Sequence, residues 1–236
     1  MPISSEQCNK ISVLLPTRVG SQRIKNKNTR KFANAEGGLL GIKLRQLLDC
    51  RTINNVVLST NDSECIKICE SIDPDQEKLT IDHRPDELCR DDTPLTDFIE
   101  YVPEIIEEDH ILWTHVTTPF ISGKIYDKVI EKYLEIIEKG YDSLVSVHEF
   151  KNFVFNHNKK LINGELLNGK WPRTQDLNSL YEINHGVFLA PRDIYVSKRD
   201  RIGINPYLYT MDKISSFDID WEEDFKIAEK IYELKR

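Results

Sequence analysis

Cysteine and long apolar segments are both scarce in this sequence of 236 residues. Five cysteines are an odd number and too few for a disulfide framework in a chain of this length. The apolar segments all fall short of the roughly 18–20 residues that a transmembrane helix needs. The first ten residues are polar and lack the apolar core of a secretory signal. We therefore predict a cytoplasmic protein with no membrane-spanning segment.

An excess of positive charge is also absent, because 39 acidic residues outweigh 32 basic ones and give a net charge of −7. Nucleic-acid-binding domains usually carry a dense basic surface, so we predict no nucleic-acid partner. In such an acidic chain, a local cluster of basic residues is expected to face an anion. Cys65 and Cys69 lie four residues apart, but no further Cys or His pair nearby completes a metal site, and we predict buried thiols.

Short apolar segments alternate with segments of helical period along most of the chain. This alternation is typical of βαβ units and predicts a doubly wound α/β fold with a mostly parallel sheet. The predicted strands are Ile11–Pro16, Asn55–Thr60, Lys78–Asp82, His110–Val116, Asp142–His148, Gly186–Ala190, Tyr207–Met211 and Ser216–Ile219. The predicted helices are Leu39–Cys50, Asp62–Ile72, Thr93–Glu108, Ser122–Lys139, Arg192–Lys198 and Trp221–Lys235.

The alternation stops between residues 149 and 182, where asparagines and aromatic residues dominate. Asn163-Gly164 and Asn168-Gly169 are typical of hairpin turns. A polar excursion with aromatic residues inside an α/β domain is usually a lid or a subunit contact. We therefore predict one domain, residues 8–236, with an inserted dimerisation or lid arm at about residues 149–182.

The loop after the first predicted strand carries six basic residues between Thr17 and Lys31. Parallel α/β sheets bind ligands at the carboxyl ends of their strands. Gly20 and Ser21 permit a tight turn whose backbone N–H groups can converge on phosphate oxygens, and basic side chains can neutralise the remaining charge. The loop matches neither the Walker pattern nor G-x-G-x-x-G. A phosphate site is therefore predicted, with a solvated loop or a patch for RNA or an acidic protein as the alternatives.

Two aspartates near the end of the chain form the second chemical feature. Asp218 and Asp220 alternate on the last predicted strand, so both carboxylates are expected on one face. Two hard oxygen ligands that meet a nucleoside triphosphate suit Mg²⁺, which takes few protein carboxylates and keeps waters. The alternative is that Asp220 only caps the last helix, where the acidic residues that follow favour the helix dipole.

The segment Leu15–Asn28 resembles the opening of the CMP-sugar synthetases, or acylneuraminate cytidylyltransferases, whose pattern is similar to I-P-A-R-x-G-S-K-x-I-x-x-K-N. The form of Ser21–Ile24 is closer to the pseudaminate and Kdo branches than to the sialate branch. Four further segments resemble motifs of the same family in the same order, across nearly the whole chain: Val57–Asp62, Arg84–Leu88, Arg173–Asn184 and Phe217–Phe225.

This resemblance implies a Rossmann-like fold of the nucleotide-diphospho-sugar transferase type, a homodimer and an enzyme of surface polysaccharide biosynthesis. The implied reaction moves CMP from CTP to the anomeric hydroxyl of an acidic keto sugar, such as sialate, pseudaminate, legionaminate or Kdo, and releases pyrophosphate. The implied catalytic residues are Arg18, Lys27, Asp218 and Asp220, the two aspartates holding Mg²⁺. The implied nucleotide site comprises Arg18, Gly20, Ser21, Lys27, Asn28, Ser59 and Arg84.

The chain departs from the family pattern where the acceptor is expected to bind. The family's L-Q-P-T-S-P-L is replaced by a segment with His115 at the Gln position, and N-G-A is replaced by Asn184-His185-Gly186. The candidate acceptor residues are therefore His115, Gln175, Asn184 and His185.

A plain buried histidine remains the alternative reading of position 115. Three other functions remain open: a cytidylyltransferase for another small acidic or phosphorylated acceptor, a metal-dependent glycosyltransferase that uses a nucleotide-sugar, and a non-catalytic nucleotide-binding homologue.

Overall fold

The computed structural model describes residues 10–165 and 170–235. No helix in these two ranges is long and apolar enough to cross a membrane. The strands are β1 (Ile11–Pro16), β2 (Asn55–Thr60), β3 (Leu79–His83), β4 (His110–Trp113), β5 (Ser143–Phe150), β6 (Leu180–Pro191) and β7 (Pro206–Thr210). The helices are α1 (Gly38–Leu48), α2 (Ser63–Ile72), α3 (Leu95–Ile105), α4 (Gly123–Ile137), α5 (Arg192–Lys198) and α6 (Glu222–Leu234).

The strands form one sheet in the order β3-β2-β1-β4-β6-β5-β7. Strands β3, β2, β1 and β4 pair in parallel, as do β5 and β7, whereas β6 runs antiparallel to both β4 and β5. The chain moves outward from β1 to β3 on one side and returns to β4 on the other. The carboxyl ends of β1 and β4 therefore flank the switch point, where sheets of this kind bind ligands. The predicted α/β fold with a mostly parallel sheet is confirmed.

Helices cover both faces of the sheet. Helices α1, α2, α4 and α6 pack on one face, and α3 and α5 pack on the other. Successive residues of β1 supply the two cores in turn, because side chains alternate along a strand. Leu15 packs toward α1, whereas Leu14 packs toward α3, and neither side chain is exposed. This packing leaves the loops at the carboxyl edge as the open part of the sheet.

The predicted strand Ser216–Ile219 is wrong. The segment is irregular: the N–H groups of Ser216 and Phe217 donate to Asp212 and Ile214 within a local turn, and Ile219 N donates to the Thr117 carbonyl oxygen at 3.0 Å. The idea that Asp220 caps the last helix is also wrong. Helix α6 begins at Glu222, and the Asp224 carboxylate accepts hydrogen bonds from the backbone N–H groups of Asp220 and Trp221. The Asp220 carboxylate therefore has no capping role.

The excursion between β5 and β6 contains a short turn at residues 156–160, next to the bridge between Phe155 and Leu161. The predicted hairpin turn at Asn163-Gly164 is wrong, because neither residue has the left-handed φ that such a turn requires, and the buried Asn163 side chain instead donates to the backbone carbonyl of Asn152 at 2.7 Å. The turn predicted at Asn168-Gly169 lies outside the described residues. The local Asn-Gly signal is therefore overridden here by a buried side-chain hydrogen bond.

Candidate active site

A cavity of about 470 Å³ opens at the switch point between β1 and β4. Most of the predicted nucleotide residues line it, together with His115 from the acceptor set. The predicted residues in its lining are Arg18, Ser21, Lys27, Asn28, Arg84 and His115. Gly20 lies in the same loop with a left-handed φ of 86°, a backbone conformation that glycine adopts without strain. The loop that is basic in sequence is therefore a wall of this cavity.

Lys27 connects the basic loop to the aspartate segment. Its Nζ donates to the carbonyl oxygen of Ile219 at 3.0 Å, so the ammonium lies beside the backbone that joins Asp218 to Asp220. Burial lowers the pKa of Lys27, while the two aspartates act in the opposite direction. The structure thus joins one predicted cation to both predicted metal ligands, although 191 to 193 positions separate them along the chain.

Arg18 is paired across the cavity mouth. Its Nη1 donates to the carbonyl of Cys89 at 3.0 Å, and its Nη2 contacts the Asp91 carboxylate. Gln22 also donates to Asp91, at 2.8 Å. The hydrogen bonds from Arg18 and Gln22 hold the pKa of Asp91 below its ordinary value. A triphosphate that recruits Arg18 would have to compete with this carboxylate.

Arg84 forms part of the cavity floor and is only 6% exposed. Its Nε donates to the Ser59 hydroxyl at 3.0 Å and its Nη2 to the Thr17 carbonyl at 2.9 Å, while the guanidinium lies 4.0 Å over the Phe98 ring. The Ser59 hydroxyl donates in turn to Asp82 at 2.6 Å. Ser59 is fully buried, so the structure makes it a residue that orients Arg84 instead of one that faces the cavity.

A second cavity of about 380 Å³ adjoins the first. The predicted residues in its lining are Asn184, His185, Asp218 and Asp220. The two cavities share a wall, because the rings of His115 and His185 meet edge to face with centroids 5.8 Å apart. Gln175 is exposed in the short turn Thr174–Asp176 of the excursion and is not among the described side chains that line either cavity. Three of the four candidate acceptor residues thus lie at this boundary.

A β-bulge places His185 at the boundary. The pairing of β5 with β6 shifts register at this point, and His185 has a left-handed φ of 56°. The Asn184 side chain holds the bulge: its Oδ1 accepts from the Ser146 hydroxyl at 2.5 Å and from the Gly186 backbone N–H at 3.0 Å. Its Nδ2 donates to the Ser216 hydroxyl at 3.1 Å. Both polar atoms of Asn184 are therefore engaged within the protein.

The aspartate pair offers one buried and one half-exposed carboxylate. Asp218 Oδ1 is buried and has no hydrogen-bond partner among the described residues. Burial raises the pKa of Asp218, while the Thr117 hydroxyl and His185 act in the opposite direction. Asp220 Oδ1 pairs with Arg23 Nη1 at 3.0 Å.

Residues 10–165 and 170–235 contain no cluster of three or more His, Cys, Asp or Glu residues that could hold a metal alone. Mg²⁺ does not need one, since it commonly takes one or two protein carboxylates together with waters and substrate phosphates. The unpartnered Asp218 oxygen and the adjacent Asp220 are hard donors of the required kind. The residues present therefore fit Mg²⁺ shared with a phosphate group.

Sequence reasoning missed Lys43, which lies beneath the site on α1 and is fully buried. Its Nζ donates to the Thr118 carbonyl at 2.7 Å, to the Thr118 hydroxyl at 3.2 Å and to the Tyr126 hydroxyl at 2.7 Å. The Thr118 hydroxyl donates to the His115 carbonyl at 3.0 Å, so Lys43 supports the loop that carries His115. Its position on the apolar stripe with Leu39 and Leu40 was the available signal.

Three more residues near the cavities were not predicted as site residues. Arg23 pairs with Asp220, and only its place in the basic loop could have indicated this. Trp113 lines the first cavity at the end of β4, the usual place for a ligand-facing residue. Arg201 lies over the Trp113 ring, and nothing in the sequence signalled that contact.

Curated proteins with related sequences include the following two. The chain is 26% identical over 232 residues to the N-acylneuraminate cytidylyltransferase of Escherichia coli. The aligned region covers 96% of this chain and 53% of that protein, so this chain spans about half the length of that relative. It is 24% identical over 226 residues to the CMP-N,N'-diacetyllegionaminic acid synthase of Campylobacter jejuni, covering 92% of this chain and 93% of that protein.

The fold is similar to that of a solved CMP:2-keto-3-deoxy-manno-octonic acid synthetase complexed with CTP. The TM-score is 0.67 at 13% identity, and the match covers 96% of this chain and 100% of the other. A family model described as Cytidylyltransferase matches residues 12–236. Because that match includes both cavities and nearly every residue of the chain, the protein belongs to the cytidylyltransferase family and is a CTP-dependent enzyme.

Proposed function

We propose that this protein transfers CMP from CTP to the anomeric hydroxyl of an acidic keto sugar, a nonulosonic acid or Kdo, and releases pyrophosphate. One observation carries the proposal: a cavity lined by Arg18, Lys27 and Arg84 adjoins a second cavity lined by Asp218, whose buried Oδ1 has no hydrogen-bond partner among the described residues. The first cavity has the charge for a triphosphate, and the second adjoins it where an acceptor could reach the α-phosphorus. The similarity to an acylneuraminate cytidylyltransferase, a legionaminic acid synthase and a Kdo synthetase supports this acceptor class.

The proposed chemistry is an in-line displacement at the α-phosphorus, which depends on positioning and charge neutralisation. The turn at Gly20 and Ser21 would present backbone N–H groups to the phosphates, and Arg18 would exchange Asp91 for phosphate oxygens. Lys27 lies at the junction of the cavities and would stabilise charge that develops during transfer. Asn28 and Arg84 would complete the nucleotide site, with Arg84 fixed by Ser59.

Asp218 and Asp220 would hold Mg²⁺ in this proposal. When bound, the ion would neutralise phosphate charge and favour deprotonation of the acceptor hydroxyl. Arg23 now pairs with Asp220, and it would have to leave that oxygen for the metal to bind there. Lys27 would remain beside both carboxylates and limit their mutual repulsion.

The proposal extends to a homodimer built through the arm at residues 149–182 of a single domain, residues 8–236. The arm exposes three aromatic side chains that cluster together, with Trp171 placed 5.2 Å from Phe153 and 6.1 Å from Phe155 between ring centroids. An exposed apolar cluster favours a protein contact. Gln175 on the same arm would then reach the acceptor site of the second copy. The four described cysteines are free and buried, which supports the proposed cytoplasmic location.

Pyrophosphate release tests the function directly. The protein is mixed with CTP, Mg²⁺ and a panel of nonulosonic acids and Kdo, and we expect release with at least one of them. Asp220→Ala should abolish most of it, whereas Glu223→Ala, which removes an exposed acid of the same segment, should not.

The alternatives give different results in the same experiment. Release with a phosphorylated acceptor but with no acidic sugar would contradict the sugar assignment. Hydrolysis of a nucleotide-sugar without consumption of CTP would indicate a glycosyltransferase. Binding of CTP without turnover on any acceptor would indicate a non-catalytic homologue.

A further inference from the structure

The hydrogen bond between Trp113 and His115 determines which nitrogen of the histidine carries a proton. Trp113 Nε1 lies 3.0 Å from His115 Nε2. The indole N–H can only donate, so His115 Nε2 must be an unprotonated acceptor. A neutral imidazole then carries its single proton on Nδ1. That nitrogen has no hydrogen-bond partner within residues 10–165 and 170–235 and belongs to a ring that lines the first cavity.

Arg201 packs on the Trp113 ring and also favours the neutral form of His115. Its guanidinium lies 4.7 Å from the centroid of the Trp113 ring and 3.8 Å from that of Phe188, and both rings are buried. It makes no ion pair with any residue that the structure describes. Tyr195 and Asp200 offset part of its charge, but a cation this close still makes a second positive charge on His115 costly.

The other titratable groups around the His115 ring also favour its neutral form. Burial lowers the pKa of His115 well below its ordinary value, and the neighbouring cationic or titratable groups lower it further. They come from four different parts of the chain: Arg201 after α5, His185 on β6, Lys27 in the basic loop and Lys43 on α1. The ring is therefore expected to stay neutral through the physiological pH range.

The geometry points to His115 as a neutral, donor-only residue that presents Nδ1–H to an oxygen of the acceptor, with Trp113 and Arg201 as its positioning residues. This inference rests on the proposed function for the identity of the ligand. The oxygen that accepts from His115 Nδ1–H would belong to a hydroxyl, carbonyl or carboxylate group of the acceptor. His115 is also excluded as the base for the acceptor hydroxyl, because the lone pair of Nε2 is already engaged and Nδ1 is protonated.

The tautomer can be measured without any substrate. Protein with ¹⁵N-labelled histidine is examined by long-range ¹H–¹⁵N correlation, and the His115 signals are assigned by their loss in His115→Gln. We expect a non-protonated Nε2 and a protonated Nδ1 that do not change between about pH 6 and pH 8. A proton on Nε2, or an imidazolium at neutral pH, would overturn the inference. The tautomer can be measured even if the enzyme releases pyrophosphate with none of the acceptors. A failure of the proposed function would therefore be distinguished from a failure of this inference.

Two variants test the positioning residues. Trp113→Phe keeps an aromatic ring and removes the N–H, and we expect His115 to show both tautomers or to titrate. Arg201→Met keeps an apolar cover on the rings and removes the charge, and we expect His115 to begin titrating at a higher pH. If Trp113→Phe does not fold, the titration of His115 in Arg201→Met by itself tests the inference. A His115 spectrum unchanged in the folded variants would refute the roles of Trp113 and Arg201.

The acceptor contact has its own readout, measured with the sugar that releases pyrophosphate. His115→Gln keeps an N–H donor and should hold the acceptor KM within about threefold, whereas His115→Leu should raise it by about tenfold, the usual effect of one lost hydrogen bond. The KM for CTP should stay constant in both. Equal behaviour of the two variants would overturn the donor role.

Discussion

Replacing the buried Lys43 with methionine should change how the stability of the protein depends on pH. Methionine keeps an unbranched side chain of similar length and removes the charge. Of the three groups within hydrogen-bond distance of Lys43 Nζ, the Thr118 hydroxyl and the Tyr126 hydroxyl keep other partners, with His115 and Thr114 respectively. Only the Thr118 carbonyl loses its donor, which should leave the local fold intact.

The size of the effect follows from proton linkage. Burial lowers the pKa of Lys43 in the folded protein well below its ordinary value of 10.5. Between that lowered pKa and 10.5, the unfolded chain holds a proton that the folded protein has released, so stability rises with pH. The slope for one such group is at most about 1.4 kcal/mol per pH unit. Lys43→Met removes this contribution, so its stability relative to the native protein should fall as pH rises across the window.

Urea unfolding at several pH values between about 7 and 10 measures the difference. Two cysteines also contribute to this pH dependence, because the unfolded chain loses thiol protons near pH 9 whereas burial raises the pKa of Cys65 to about 12 and that of Cys69 to about 11 in the folded protein. Their effect lowers stability as pH rises and cancels in the difference between native and variant proteins. Lys128→Met, which removes an exposed charge on α4, controls for net charge. Parallel pH profiles for native protein and Lys43→Met would refute the reasoning.

Lys27→Ala should reduce kcat in the pyrophosphate assay by about tenfold to a thousandfold. This is the range for losing one group that stabilises developing charge. Lys25→Ala removes an exposed charge from the same loop and should change kcat little; similar losses in both would remove Lys27 from its role. Gly41→Ala should destabilise the protein by about 1–3 kcal/mol in urea unfolding, because the new Cβ would lie 2.1 Å from the Glu36 carbonyl oxygen. A gain of about 1 kcal/mol, as helix propensity alone predicts, would contradict this.

The alternation of strands and helices could be predicted because local periodicity records which face of each segment is buried. The same logic failed at Ser216–Ile219, where Phe217, Asp218 and Ile219 alternate apolar and polar like a strand. None of the described strands pairs with this segment, whose backbone N–H groups donate within a local turn and, from Ile219, to Thr117. Alternation reports burial, and here Ile219 is buried without belonging to the sheet.

The residues around the first cavity were largely predictable, because the basic loop is contiguous in sequence and follows a strand that the pattern identified. The second cavity was less accessible to sequence reasoning. His185 faces the boundary only because the pairing of β5 with β6 shifts register and permits a left-handed residue within β6. Register depends on both strands at once, and no local signal in either strand specifies it.

The sequence by itself determined the fold class and identified the basic loop after β1 and the two aspartates near the end of the chain, because each depends on local pattern or on a short run of residues. Only the tertiary structure decided the protonation geometry of the site. Lys43 lies under the His115 loop, Arg201 lies over Trp113, and Trp113 donates to His115. The contacts of Lys43 and Arg201 join segments far apart in the chain, and the bond from Trp113 to His115 depends on how the chain turns after β4. Their energies depend on burial and on distances between charges, and neither quantity exists until the chain has folded.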